Sequence, residues 1–301
     1  MIKKEVFLTV FTSTYNRANT LIRLYYSLLK QTDKDFEWII VDDGSTDNTQ
    51  SMVDAWLKND EKIKIRYFRK KNEGFHTGYN VAIANLNSEL AVCIDSDDYM
   101  PADAVHKIHK CWINRGENEY GGIIGLDCLE DGRIIGGRLP DDRQSINLID
   151  LLLDKYNVAH GDKKIVVRSD LYKKVAPMKV YPGEKYFNPH YMHLEISRNY
   201  DFLILNECLC IVEYRPDGMG ANIFRQYKNS PNSFLEIRKQ FFTFKGTSTY
   251  SKYRNSIHFV SSALLAHRFI EEYRRSDNKG IILLGFIPGT MLALLTMLKG
   301  N

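Results

Sequence analysis

An excess of one charge is what this 301-residue sequence most plainly lacks: 41 Lys and Arg stand against 37 Asp and Glu, for a formal net charge of +4. A balance that close implies no strong nucleic-acid footprint. Cysteine is also scarce. The five, Cys93, Cys111, Cys128, Cys208 and Cys210, are odd in number and form no CxxC pair, which argues against a disulfide framework and a structural zinc site and reads as reduced thiols. No small-residue cleavage site follows the short apolar run Val6 to Phe11, and Glu5 precedes it, so a cytoplasmic protein is expected. Internal repeats and low-complexity blocks are absent. So is a GxGxxG after a strand: Gly218-Met219-Gly220 lacks the third glycine and comes too late, which disfavours an NAD-dependent enzyme.

What is present is a chain that can bury a core, 44% hydrophobic and 26% charged. Glu5 to Thr12 is β-rich, and Leu21, Leu24, Tyr25, Leu28 and Leu29 recur at helical spacing after it. The unit repeats. Phe36 to Val41 is a near-continuous apolar strand, Met52, Val53, Trp56 and Leu57 mark a helix face, and Ile63 to Phe68 supplies a third strand. A helix around Tyr79 to Ala84 leads into the strand Leu90 to Ile94, followed by an amphipathic stretch from Ala102 to Trp112. Strands alternating with helices imply parallel βαβ units, whose ligands bind beyond the carboxyl ends of the strands. Beyond Gly121 the alternation loosens into a hairpin near Leu126 to Gly137 and strands at Lys164 to Arg168 and Phe202 to Tyr214. The expected organisation is a donor-binding half over residues 1–120, an acceptor-binding half over 121–232, and a helical extension over 233–301.

The loops at the expected carboxyl edge carry the chemistry. Asp95-Ser96-Asp97-Asp98 follows an apolar strand directly. Three neighbouring acids repel one another unless a cation neutralises them, and carboxylate oxygens suit Mg²⁺ or Mn²⁺, which in turn bind diphosphate oxygens. Capping of the helix that follows Pro101 is the alternative for that cluster alone. A second cluster, Asp42-Asp43-Gly44-Ser45-Thr46-Asp47, follows the second strand, and two Asp pairs at adjacent strand ends are harder to explain as caps. The first loop, Thr12-Ser13-Thr14-Tyr15-Asn16-Arg17, offers hydroxyls, an amide and an aromatic ring suited to a base and ribose.

In this order and at these separations, TSTYNR, IIVDDGSTD, NEGFHTGYN and CIDSDDYMP resemble the family 2 glycosyltransferases, inverting enzymes with the A-type nucleotide-sugar fold. The match covers about the first 110 residues. Asn206-Glu207 and Val212 to Gly218 look like bacterial members that build capsule or O-antigen polysaccharides. The resemblance implies a Rossmann-like α/β fold with a mixed, mainly parallel sheet and a hexosyl transfer from a nucleoside diphosphate sugar, commonly UDP-linked, to a saccharide or lipid-linked saccharide acceptor. Carried over residue by residue, Thr14-Tyr15 and Asp43 contact the base, Asp95 lies near the ribose, and Asp97 and Asp98 hold the metal. Asn72, Gly74 and His76 match a loop against the donor, and Lys70 or Lys71 balances phosphate charge.

Family members place an acidic base well downstream, often after a proline. Here that region, Pro182 to Glu195, has Pro189-His190 where Pro-Glu is usual, so His190, Glu184 and Glu195 are the candidates. The uncharged stretch Gly280 to Leu298, flanked by Arg274, Arg275, Lys279 and Lys299, is barely long enough to span a bilayer, and Pro288-Gly289 is expected to break it. A peripheral contact with the inner face of the plasma membrane is the expectation, a buried or partner-binding helix the alternative. Two rival functions are a sugar nucleotidyltransferase, which usually opens with a Gly-rich basic loop absent here, and a catalytically silent scaffold of a polysaccharide assembly complex.

Overall fold

The computed structural model describes residues 6–59, 62–114, 119–213 and 223–300. The chain forms two compact units, one of Met1–Met178 with Met192–Glu213 and one of Lys179–Tyr191 with Tyr214–Asn301.

The first unit is built on one sheet. Its strands are β1 (Val6–Thr14), β2 (Phe36–Asp42), β3 (Lys64–Arg69), β4 (Ser88–Cys93), β5 (Gly122–Cys128), β6 (Ser145–Ile146), β7 (Lys163–Arg168) and β8 (Phe202–Ile211), in the order β3-β2-β1-β4-β7-β5-β8-β6. The first four of that order are mutually parallel, β7 is antiparallel to both its neighbours, and β5 runs parallel to β8. Around the sheet lie α1 (Ala18–Leu29), α2 (Thr49–Asn59), α3 (Phe75–Ala84), α4 (Ala104–Ile113), α5 (Leu148–Leu152) and α6 (Ser169–Val175). Helix α7 (His190–Ser197) carries the boundary between the units within it.

Every residue of β2 is buried, as an interior parallel strand covered on both faces requires. Alternation sorts the two faces. Leu8, Val10, Trp38, Ile40, Leu90 and Val92 share one core with Leu21, Leu24 and Leu28 of α1, Val53 and Trp56 of α2, and Val105 and Ile108 of α4. On the other face Phe11 meets Tyr79 of α3 and Tyr172 of α6 edge-on, with ring centroids 4.8 and 6.2 Å apart. The chain runs outward from β1 to β2 and β3, then returns through α3 to β4 on the far side of β1. That reversal makes the carboxyl ends of β1 and β4 a topological switch point, where such sheets bind ligands.

Three expectations shift at their edges. Helix α3 starts at Phe75, ahead of Tyr79, and so takes in His76. Strand β8 stops at Ile211, with Tyr214 to Gly218 outside the described residues, as is Glu5 at the start of β1. The hairpin after Leu126 reduces to a tight turn, Leu129 N–H to Arg133 O at 2.8 Å, with one bridge between Cys128 and Ile134.

The second unit is helical: α8 (Ile223–Asn229), α9 (Pro231–Phe242), α10 (Thr249–Leu265), α11 (Phe269–Arg275), α12 (Lys279–Leu284) and α13 (Phe286–Lys299). Leu235, Phe259, Val260, Ala263 and Ile282 form its core. The expected break at Pro288-Gly289 is corrected to Gly285, which separates α12 from α13. Pro288 is the third residue of α13, a first-turn position where a missing N–H has no intrahelical acceptor to lose. Among the described residues no helix is long and apolar enough to cross a membrane.

Candidate functional site

The loops after β1, β2 and β4 are tied together before any ligand is considered. Thr12 Oγ1 donates to Ile94 O at 2.8 Å and accepts from the Trp38 indole at 3.0 Å, so Thr12 braces the ends of β1, β2 and β4. Asn16 adopts a left-handed φ of 52°, which Asn tolerates better than most residues. Its side-chain oxygen accepts from the Thr46 and Asp47 N–H groups at 2.7 and 3.3 Å, and its own N–H donates to Ser45 Oγ at 2.9 Å. Much of the DDGSTD segment is therefore turn and cap chemistry, as its composition allows. Asp42 accepts from Ser45 N–H at 2.7 Å and the Tyr67 hydroxyl at 2.7 Å. Asp47 accepts from Ala18 N–H at the start of α1 and from both donors of Thr49. Gly44 turns the chain with φ +81°, and a Cβ there would sit 2.9 Å from Asn72 N; only glycine lets these loops close up.

Asp43 joins the second loop to the third. Its Oδ1 accepts from Lys70 Nζ at 2.8 Å and Glu73 N–H at 3.0 Å, and its Oδ2 from Gly74 N–H at 2.8 Å. The carboxylate is buried and oriented by charge-assisted bonds. Gly74 lies buried beside it, Asn72 is half-buried and Lys71 exposed. His76 is placed differently from the loop position its sequence suggests: it lies inside α3 with no exposed surface. The Thr14 hydroxyl is buried without a hydrogen-bond partner among the described residues, an open polar group at the switch point. Tyr15 beside it is 47% exposed, and Arg17 is half-buried.

The loop after β4 concentrates acid. Asp95 and Asp97 are half-buried, and Ser96 and Asp98 are buried. Burial pushes the Asp98 carboxyl up to about 7, the neighbouring Asp95, Asp97 and Asp127 add to the rise, and Lys164 opposes it. Asp95 is also raised, by burial first and then by Asp97 and Asp162. The donors to Asp98 among the described residues are distant, Cys210 Sγ at 3.8 Å and Glu213 N–H at 3.4 Å. Its oxygens thus lack the short bonds that settle a buried carboxylate. Two residues unmarked by the sequence reading complete the cluster. Asp127 on β5 is 2% exposed, and Lys164 on β7 approaches it at 3.6 Å. Burial opposes charge on Lys164, yet the surrounding Asp127, Asp95 and Asp98 hold its pKa above the usual lysine range. The one available signal was Asp127 itself, a single acid ending the otherwise apolar run Gly122 to Leu126.

Among the described residues no three His, Cys, Asp or Glu side chains stand together as a metal cluster. Two hard carboxylates with weak protein donors nonetheless suit a cation that takes the rest of its ligands from a substrate diphosphate.

The three candidates for a base separate. Glu184 accepts from the N–H and Nδ2 of Asn232, both at 2.8 Å, and from the N–H and Oγ of Ser233 at 2.8 and 2.6 Å. Those are the second and third residues of α9, whose adjoining Ser230 makes no side-chain cap; Glu184 caps the helix from a distant segment and faces its positive dipole end. Glu195 is bound by Arg198 through two bonds of 2.8 and 3.0 Å. His190 opens α7, its N–H donating to Asn188 Oδ1 at 2.9 Å. Glu184→Gln is expected to lower stability by about 2–4 kcal/mol, because a buried charged cap with four donors loses its partner strength, and to leave transfer intact at permissive temperature. Loss of turnover at unchanged melting temperature would instead make Glu184 the base.

This sheet order, with its acidic loop after the strand at the switch point, defines an A-type glycosyltransferase fold. Residues 9–124 match the family described as glycosyl transferase family 2. An uncharacterized glycosyltransferase of Rickettsia conorii is 41% identical over 98 residues, 33% of this chain and 16% of that protein. The hyaluronan synthase of Pasteurella multocida is 34% identical over 134 residues, 41% of this chain and 14% of that protein. The chain thus spans about a sixth of the length of such relatives. Among solved structures, S. aureus TarS 1–349 in complex with UDP-GlcNAc superposes with a TM-score of 0.61 at 17% identity, covering 96% of this chain and 79% of that one. The mannosyltransferase PcManGT of Pyrobaculum calidifontis, in complex with GDP-Man and Mn²⁺, gives 0.58 at 15% identity, covering 99% and 86%.

Proposed function

We propose that the chain transfers a sugar from a nucleoside diphosphate donor, UDP-linked in the first instance, to an acceptor hydroxyl in bacterial cell-surface polysaccharide synthesis. The observation that carries this is the unpartnered, buried Thr14 hydroxyl at the end of β1 together with the Asp98 carboxylate, which has only long contacts, after β4. Structural relatives bound to UDP-GlcNAc and to GDP-Man with Mn²⁺ support a donor of this class.

In this reading Tyr15 stacks against the base and the open Thr14 hydroxyl bonds the nucleotide. Asp43 keeps Lys70 and the Gly74 N–H in place around it. Asp97 and Asp98 would hold Mn²⁺ or Mg²⁺, which supplies charge neutralisation for the departing diphosphate. The acceptor oxygen attacks the anomeric carbon from the face opposite the leaving group, the carbon–oxygen bond to the diphosphate breaks, and the configuration inverts. The acceptor proton passes to a base. Pro189-His190 stands where Pro-Glu is usual in the family, and we assign that role to His190, imidazole being a common general base.

Release of UDP or GDP from a panel of donor sugars, with saccharide acceptors and Mn²⁺, tests the assignment. Turnover that Asp97→Asn abolishes supports transfer; donor binding without turnover across the panel would favour a scaffold instead.

A further inference from the structure

Positive charge collects in one part of the chain. Residues 223–300 hold twelve Lys and Arg against four Asp and Glu, so the remainder of the chain is net acidic. Two of those four acids, Glu236 and Glu272, are buried in ion pairs with Lys179, Lys239 and Arg268. From Asn278 to Gly300 there is no acidic residue.

In the same stretch α13 is amphipathic in an inverted sense. Its side against α10 is made of small residues: Gly289, Ala293 and Thr296 are buried, and a Cβ on Gly289 would lie 2.6 Å from Val260 Cβ and 2.7 Å from Ile257 O. Glycine is therefore what lets the two helices approach. The large apolar residues face away. Ile287, Met291, Leu294 and Leu298 recur at helical spacing and are 53–77% exposed, and Leu283 and Leu284 of α12 extend the patch. A helix held by ordinary core packing puts its large side chains inward; a contiguous exposed patch of this kind marks an interaction surface. Next to it runs an open groove of about 930 Å³, where Arg268, Arg274 and Arg275 stand with Phe269, Ile270 and Phe286 and with one acid, Glu271, which pairs with Arg268 and Arg275 at 3.4 and 2.6 Å.

We propose that the α12–α13 face docks on a bilayer surface rich in anionic headgroups. The apolar stripe enters the boundary between headgroups and acyl chains, and Arg274, Arg275, Lys279 and Lys299 meet the lipid phosphates. Charge decides between this occupant and a second copy. A two-fold pairing of the face with itself would bring two cationic units together, whereas an anionic bilayer complements them. The helices are too short to cross, so the contact lies in the membrane plane. This inference is independent of the sugar-transfer reading.

Flotation of the full chain with vesicles of phosphatidylcholine alone, and of phosphatidylcholine with phosphatidylglycerol, tests it at low and high salt. The chain should float with the anionic vesicles at low salt and far less with the neutral ones. Ile287→Ser, Met291→Ser and Leu298→Ser combined should lower partitioning about a hundredfold. Arg274→Ser with Arg275→Ser should lower it roughly tenfold to thirtyfold and flatten the salt dependence. Both variants should keep the wild-type melting temperature, since the altered side chains lie at the surface. Wild-type protein that ignores every vesicle, or a triple variant that floats like wild type, overturns the proposal. A dimer abolished by the triple variant, without flotation, assigns the face to a second copy and overturns it equally.

Discussion

Asp98→Asn is expected to abolish sugar transfer while making the ligand-free protein more stable near neutral pH. The two effects share one cause. Asp98 is buried beside other carboxylates with only long contacts from Cys210 and Glu213, and its pKa is raised from 3.8 to about 7. Between those values the folded protein holds a proton that the unfolded chain has released. The stability this group contributes is therefore fullest below about pH 4 and is lost as pH rises through about 7. Asparagine remains neutral throughout. The variant should gain about 1–3 kcal/mol over wild type at pH 8 without metal, a gain that shrinks as pH falls and vanishes below about pH 4. Melting curves across that range, with and without Mn²⁺, measure it. In the account proposed here Mn²⁺ closes the gap by stabilising wild type alone. A variant less stable than wild type at pH 8 would show that Asp98 is held by its protein contacts, contrary to this account.

His190→Ala is expected to reduce kcat by about 10²–10⁴-fold, the usual contribution of a positioned general base, with the donor dissociation constant unchanged. The assignment rests on Pro189-His190 standing where Pro-Glu is usual in the family. A His190→Ala enzyme that keeps its turnover while Glu195→Gln loses it would move the role to Glu195.

The first four strands and the polar loops at their carboxyl ends were largely legible in the sequence for a physical reason. Parallel strands buried on both faces are written as near-continuous apolar runs, and FEWIIV and LAVCI end where the clusters Asp42-Asp43 and Asp95 to Asp98 begin. The polar loops at those ends then had to lie on one edge. Asp127 and Lys164 escaped because their meeting depends on β7 being inserted antiparallel between β4 and β5, a pairing of distant segments that no local pattern records. His76 was misplaced by one turn because Gly74 starts α3 earlier than the apolar spacing after Tyr79 suggested. The role of Glu184 was hidden for a similar reason: a cap contributed from 48 residues away has no sequence signature. In the tail, composition gave the apolar stretch but not its direction. Only the packing of Gly289 against Val260 shows that the small residues face α10 and the large ones do not.

The most direct test of the central claim is a calorimetric titration of UDP into the purified protein with and without Mn²⁺, repeated on Asp97→Asn. Binding is expected to require the metal and to be lost in the variant, together with a rise in melting temperature as the ligand occupies the folded state. Failure of UDP, GDP, CMP and ADP to bind under either condition would contradict it and leave the family 2 domain as a fold without a working donor site.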